Sequence, residues 1–119
     1  MFEKLEVYQK SVDFAVRVST LTENFPKGFR FLSDQLNRAA LSIPANLAEG
    51  NGRWHTADRK QFFWIARGSA QECVPLLEVG FRRGVINETE HKSLKDGLET
   101  IVKMTSGLIQ GVPVRKKSG

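Results

Sequence analysis

The spacing of apolar residues constrains the fold of this chain more than any other feature of its sequence. In four separate segments, apolar and small residues recur every three or four positions, which places them on one face of an α-helix. The predicted inward-facing residues, in chain order, are Tyr8, Val12, Ala15, Val16 and Ser19; Leu32, Leu36, Ala39, Ile43 and Leu47; Phe62, Ala66, Ser69, Cys73, Leu76 and Gly80; and Leu94, Leu98, Ile101, Thr105 and Leu108. No long stretch alternates apolar and polar residues as a half-buried strand does. The sequence therefore predicts an all-α fold.

Turn residues divide the chain into helices that we expect over about 6–22 and 31–49, from Thr56 to about Arg83, and from the segment Asn87-Glu88-Thr89-Glu90 until Gly111 and Pro113. Gly50 and Gly84 are the predicted stops of the second and third helices. Pro44 and Pro75 fall inside helical patterns, where a proline removes one backbone hydrogen bond and kinks the helix. We therefore expect bends at these prolines, and not additional helices.

The starts of the third and fourth helices carry capping signals. Thr56 is the predicted N-cap of the third helix, and Asn87 and Glu90 have the spacing of a capping box before the fourth. Four amphipathic helices with short connections predict an antiparallel up-down-up-down four-helix bundle over residues 1–111. A chain of 119 residues suits one domain. Because Gly111 and Pro113 stop the fourth helix, residues 112–119 are a basic C-terminal tail.

The first residues of the chain and its cysteine content predict a cytoplasmic location. The N-terminus contains acidic residues and no apolar stretch typical of a secretory signal, and no segment approaches the roughly 20 apolar residues that cross a bilayer. The single cysteine, Cys73, fits a reducing compartment because it cannot form an internal disulfide. We expect no membrane association.

The net charge of +5 indicates an anionic partner, but the charge is unevenly distributed. Arg115, Lys116 and Lys117 carry three of the 18 basic charges, and without them 15 basic residues face 13 acidic ones. The tail is therefore either part of a binding surface or a solubilising end. The body of the chain is nearly neutral.

The sequence predicts no catalytic residue, metal or cofactor. The only two histidines, His55 and His91, do not supply the paired ligand motifs of a di-iron bundle site. Cys73 falls on the inner face of the third helix with no histidine near it in sequence, as is typical of a small apolar core residue. An enzyme is the least favoured class.

Two sets of polar residues are candidates for binding. Arg38, Ser42, Asn46 and Glu49 recur along the second helix at spacings of four, four and three; we call them the polar stripe. They are either a solvated face or a contact to a partner helix, in which case Glu72 is the expected partner of Arg38. The second set combines basic residues with aromatic ones, as nucleic-acid surfaces do, and its candidates are Arg53, Arg59, Lys60, Trp64 and Arg67, with Trp54 nearby. Trp64 is alternatively a core or interface residue.

One long motif resembles a known family. The run QLNRAALSIPANLAEG over residues 35–50, then Gly52 and Arg53, resembles the 23S rRNA intervening-sequence proteins, and so do Ile65-Ala66-Arg67-Gly68-Ser69 with Glu72, Leu5-Glu6-Val7-Tyr8 and Phe25-Pro26. The resemblance implies a four-helix bundle that assembles into a homo-oligomer, typically a pentamer, without catalysis. The motif residues that it marks as structural or interface positions are Gln35, Arg38, Ser42, Asn46, Glu49, Gly50, Gly68 and Glu72. Related accessory proteins of bacterial retroelements bind nucleic acid and a reverse transcriptase, so RNA or DNA and such an enzyme are implied partners.

Two functions therefore stay open. The favoured one is an oligomeric bundle, acting as an accessory factor, that binds RNA or DNA through Arg53, Arg59, Lys60, Trp64, Arg67 and the tail residues Arg115, Lys116 and Lys117. The alternative is a protein–protein interaction scaffold that binds no nucleic acid.

Overall fold

A computed structural model describes residues 5–111, which form four α-helices and, within that range, no strand. The helices are α1 (Glu6–Thr22), α2 (Arg30–Asn51), α3 (Thr56–Arg82) and α4 (Glu88–Gly111), and a 3₁₀ turn over Lys27–Phe29 precedes α2. The predicted all-α class is confirmed. Pro44 and Pro75 lie inside α2 and α3 and do not divide them into separate helices, as predicted, and the bends expected at them stay a prediction.

The inner face of α2 is the one that the sequence predicts. Leu32, Leu36, Ala39, Ile43 and Leu47 are all buried. They pack in a single core against buried residues of the other three helices, among them Phe14, Val18, Phe63, Leu77, Leu98 and Ile101. Burying these side chains is the main favourable contribution to folding.

The predicted inner face of α1 is wrong by about one position. The buried residues of this helix are Val7, Ser11, Phe14, Ala15, Val18 and Thr22. Of the predicted residues, only Ala15 is buried, while Val16 and Ser19 are exposed. An apolar side of α1 therefore faces outward, next to α2.

Smaller shifts of the same kind occur in α3 and α4. Phe62, Leu76 and Leu108 are half-buried, and their chain neighbours Phe63, Leu77 and Ile109 are buried instead. Because successive helical residues are 100° apart, a one-residue shift moves an apolar side chain to the edge of the core.

The helix ends confirm some predicted signals and correct others. The Glu90 amide donates to Asn87 Oδ1 at 2.8 Å, and the Asn87 amide donates to Glu90 Oε1 at 3.4 Å, which is the predicted capping box. Gly84 follows α3 with φ of 81°, a conformation that suits glycine. The predicted Thr56 cap is wrong, because Thr56 is the first helical residue and His55 precedes it.

Each helix contacts the next one along the chain, and α1 also contacts α4. Asn37 Nδ2 donates to Thr22 Oγ1 at 2.8 Å between α2 and α1, and Arg17 Nη2 donates to Ser93 Oγ at 2.8 Å between α1 and α4. Within residues 5–111, no helix is long and apolar enough to span a membrane.

Candidate nucleic-acid interface

The turn between α2 and α3 presents a tryptophan and an arginine. Trp54 is 87% exposed. Arg53 Nη2 donates to Glu49 Oε2 at 2.9 Å, and its guanidinium lies 4.7 Å from the centre of the Phe62 ring. Arg53 is therefore partly neutralised. The four-residue spacing between Glu49 in the last turn of α2 and Arg53 just beyond its end is a sequence signal for this pair.

Trp64 and Arg67 form a stacked pair on α3. The Arg67 guanidinium lies 4.4 Å from the centre of the Trp64 ring, and Arg67 Nη1 donates to Ser106 Oγ of α4 at 3.0 Å. Trp64 is 54% exposed, so it is a surface residue and not part of the core. These contacts hold the guanidinium and the indole in one arrangement.

Arg59 and Lys60 are the basic residues of this region with neither an acidic nor an aromatic partner. Both are half-buried, and neither forms an ion pair within the described part of the chain. Arg59 Nε is buried and has no hydrogen-bond partner. An unpaired buried donor is costly to the folded state, and because this atom is inaccessible to solvent, only the terminal nitrogens of Arg59 are candidates for contact with a ligand.

Two side-chain contacts join α3 and α4 at different points along their lengths. His91, close to the start of α4, stacks on Phe81 near the end of α3 at 4.6 Å. Ser106, close to the end of α4, contacts Arg67 in the first half of α3. The three basic tail residues that follow α4, Arg115, Lys116 and Lys117, lie outside the described residues.

The polar stripe contacts α3 through its two central members. Ser42 Oγ and Ser69 Oγ are 2.8 Å apart, and Asn46 Nδ2 donates to the Ser42 carbonyl at 2.8 Å and to Ser42 Oγ at 2.9 Å. The stripe is therefore not merely a solvated face. Its end members are different, because Glu49 binds Arg53 and Arg38 is exposed.

The expected ion pair between Arg38 and Glu72 is not formed among the described residues. Both side chains are exposed, and neither takes part in a salt bridge. Two long side chains in water gain little from pairing, since the Coulomb energy is screened and their rotamer freedom is lost.

The remaining motif residues have different surroundings. Gly50 is buried inside the last turn of α2, where an added Cβ would lie 2.6 Å from Cε1 of Phe63. Its predicted role as a helix cap is therefore wrong, and close packing is the reason for glycine here. Gly68 is exposed with open space around its Cα, and Gln35 is exposed.

The described residues give little support for metal or nucleophile chemistry. Within 5–111, no three or more histidine, cysteine, aspartate or glutamate residues lie together as metal ligands. Cys73 is fully buried, as predicted, and burial together with the nearby Glu72 carboxylate raises the pKa of its thiol to about 12. At neutral pH it carries its proton, and the thiol is a poor nucleophile.

Comparison with known proteins points to one family. The family described as 23S rRNA-intervening sequence protein matches residues 3–107. A crystal structure from Bacteroides thetaiotaomicron, of a protein with unknown function from the S23 ribosomal protein family, has a TM-score of 0.81 and 30% sequence identity, and the alignment covers 87% of this chain and 98% of that one. None of the curated proteins matches the chain. Neither description assigns an enzymatic activity.

Proposed function

The chain belongs to the 23S rRNA-intervening sequence protein family, and on that premise we propose that it is a non-enzymatic, self-associating bundle that binds nucleic acid in the cytoplasm. The observation that carries the nucleic-acid part is the grouping of unpaired Arg59 and Lys60 with exposed Trp54 and stacked Trp64–Arg67. We call these five residues, together with Arg53, the basic end. Phosphate contacts from basic side chains supply most of the affinity of such surfaces.

The order of the helices supports this proposal. The contacts of His91 with Phe81 and of Ser106 with Arg67 support an antiparallel up-down-up-down arrangement. In that arrangement α4 finishes at the end of the bundle where α3 begins. We propose that Arg115, Lys116 and Lys117, which follow α4 in the chain, add their three positive charges to those of the basic end.

Self-association is supported by an apolar groove between α1 and α2. The groove has a volume of about 520 Å³ and no charged lining residue; its lining is Tyr8, Val12, Ala15, Val16, Ser19, Thr20, Leu41, Pro44, Ala45 and Ala48. Val16 and Leu41 are large apolar side chains that the monomer leaves about 60% exposed. Contact with a second copy would remove this apolar surface from water.

The pentamer implied by the family resemblance sets a geometric condition on that contact. A five-membered ring requires two different surfaces to meet, because a surface that pairs with itself gives only twofold contacts. Exposed Ile65 and Val79 on the outer side of α3 are apolar and lie outside the groove. We propose that the groove of one copy receives this side of α3 from the next copy.

Salt-dependent binding to RNA and DNA probes tests the nucleic-acid part. We expect the double variant Arg59→Gln/Lys60→Gln to bind mixed-sequence probes more weakly at low salt and to show a shallower salt dependence. The matched control is Arg30→Gln/Lys92→Gln, which removes the same charge from exposed ion-paired residues far from the basic end. It should bind like the unmodified chain, and circular dichroism should show that both variants are folded.

The same experiment separates the proposal from the alternative. Equal losses in both double variants would mean that net charge, and not the basic end, governs binding. No binding of any probe at low salt would overturn the nucleic-acid part and leave a protein-interaction scaffold. Binding to a reverse transcriptase stays a prediction from the resemblance to retroelement accessory proteins.

A further inference from the structure

The aromatic residues of the basic end are placed for stacking. Trp54 is the most exposed large apolar residue between residues 5 and 111, and its ring has no aromatic or cationic neighbour among them. One exposed apolar side chain is ordinary on a protein surface. Here, however, it lies directly beside Arg53, at the turn that leads into the basic part of α3.

Two arginine–aromatic stacks lie close to Trp54 in the chain. Arg53 lies over Phe62 at 4.7 Å and Arg67 over Trp64 at 4.4 Å. Each guanidinium is also fixed by a polar partner, Glu49 for Arg53 and Ser106 for Arg67. These flat groups are therefore held in place before any ligand binds, which lowers the entropic cost of stacking another ring on them.

The same contacts limit how well the surface binds a duplex. A duplex keeps its bases stacked on one another, so a protein gains affinity for it mainly through many phosphate contacts. Arg53 is held by a carboxylate, and Arg67 is engaged with Trp64 and Ser106. Among the described basic residues of the basic end, only Arg59 and Lys60 have no acidic or stacked partner.

Resting on the proposed function, we infer that the basic end binds single-stranded nucleic acid, with an unpaired base stacked on the Trp54 indole and adjacent phosphates near Arg59 and Lys60. Base stacking on an aromatic side chain accepts any base, because every base has a π face. The binding is therefore expected to discriminate by strandedness more than by sequence.

Intrinsic fluorescence tests this inference, since Trp54 and Trp64 are the only tryptophans in the chain. In the full-length Trp64→Phe variant, Trp54 is the only indole. We would titrate it with oligouridylate, oligothymidylate and a mixed-sequence duplex of equal length. The single strands should bind more tightly than the duplex and should quench the emission of Trp54.

The substitution Trp54→Ala should weaken single-strand binding by about 5- to 100-fold and change duplex binding little. Trp54→Phe should retain most of the affinity, because phenylalanine also presents a stacking face. Folding of both variants is expected, since the side chain is exposed, and circular dichroism checks it.

The outcomes distinguish this inference from the proposed function. Equal affinity for single strands and duplex, with Trp54 emission unchanged, would overturn the single-strand inference and leave nucleic-acid binding standing. The absence of binding to all three probes at low salt would overturn both. Unchanged affinity in Trp54→Ala would show that this indole is not the stacking residue.

Discussion

The hydroxyl oxygens of Ser42 in α2 and Ser69 in α3 are 2.8 Å apart. Asn46 Nδ2 donates to the same Ser42 hydroxyl at 2.9 Å, so the two helices share a short polar network beside the apolar core. A hydrogen bond between buried or half-buried groups contributes about 1 kcal/mol, and leaving one partner unpaired costs more. This network joins the middle of the polar stripe to α3.

Removing either hydroxyl should therefore destabilise the bundle. We expect Ser42→Ala and Ser69→Ala each to lower the free energy of unfolding by about 1–2 kcal/mol, and the double variant to lose less than the sum. Urea denaturation of the unmodified chain, the two single variants and the double variant measures the interaction energy between the two hydroxyls. Fully additive losses would mean that the two hydroxyls do not interact.

Gly50 and Gly68 provide a matched pair of glycine substitutions in helices. Alanine normally stabilises a helix by about 0.5–1 kcal/mol relative to glycine, and Gly68→Ala should do so because its surroundings are open. Gly50→Ala should instead destabilise by about 1–3 kcal/mol, since its Cβ would meet the buried Phe63 ring at 2.6 Å. Thermal unfolding compares the two, and a stabilised Gly50→Ala variant would contradict the close packing at Gly50.

The carboxyl group of Glu78 should make the stability of the folded protein depend on pH. Hydrogen bonding from Arg82 lowers the pKa of Glu78 below its ordinary value of 4.5, with smaller contributions from the positive charge of Arg82 and from His91 and Lys95. Because the folded-state pKa is the lower one, this stabilisation is present above pH 4.5 and is lost as the pH falls through the folded-state value.

We therefore expect Glu78→Gln to be less stable than the unmodified chain at neutral pH and equally stable well below pH 4.5. The effect should be small, since the group is exposed to solvent. In an Arg82→Gln background, which removes the 2.8 Å contact, the difference at neutral pH should shrink. Denaturation midpoints of Glu78→Gln and of the unmodified chain, taken at both pH values, measure this difference in stability. An equal difference at both pH values would mean that ionisation of Glu78 is not its cause.

The α1–α2 groove gives a prediction for assembly. Leu41→Lys places a charge in the apolar groove and should shift the chain from oligomer to monomer, because burying an unpaired charge is costly. Phe31→Lys is the matched control, since Phe31 is also an exposed apolar residue of α2 but does not line the groove. Sedimentation velocity measures the oligomeric state of the unmodified chain and of both variants. A monomeric unmodified chain, or equal dissociation in the two variants, would count against the groove as the contact.

Much of the local structure followed from the sequence because its causes are local. The number of helices and their approximate ends come from the three-four spacing. The capping box joins Asn87 and Glu90, which are three residues apart. Gly84 ends α3 through its own backbone conformation. Each of these depends on neighbours within about one helical turn.

The sequence by itself thus determined that this protein is a set of four amphipathic helices with basic and aromatic residues around the start of the third. Only the tertiary structure decided which apolar side of α1 is buried, because Val7, Phe14 and Val18 compete with Tyr8, Val12 and Val16, and packing against the other helices selects between them. The tertiary structure also decided that Ser42 meets Ser69 while Arg38 does not pair with Glu72. Contacts between helices depend on the register and rotation of both, which no local pattern specifies.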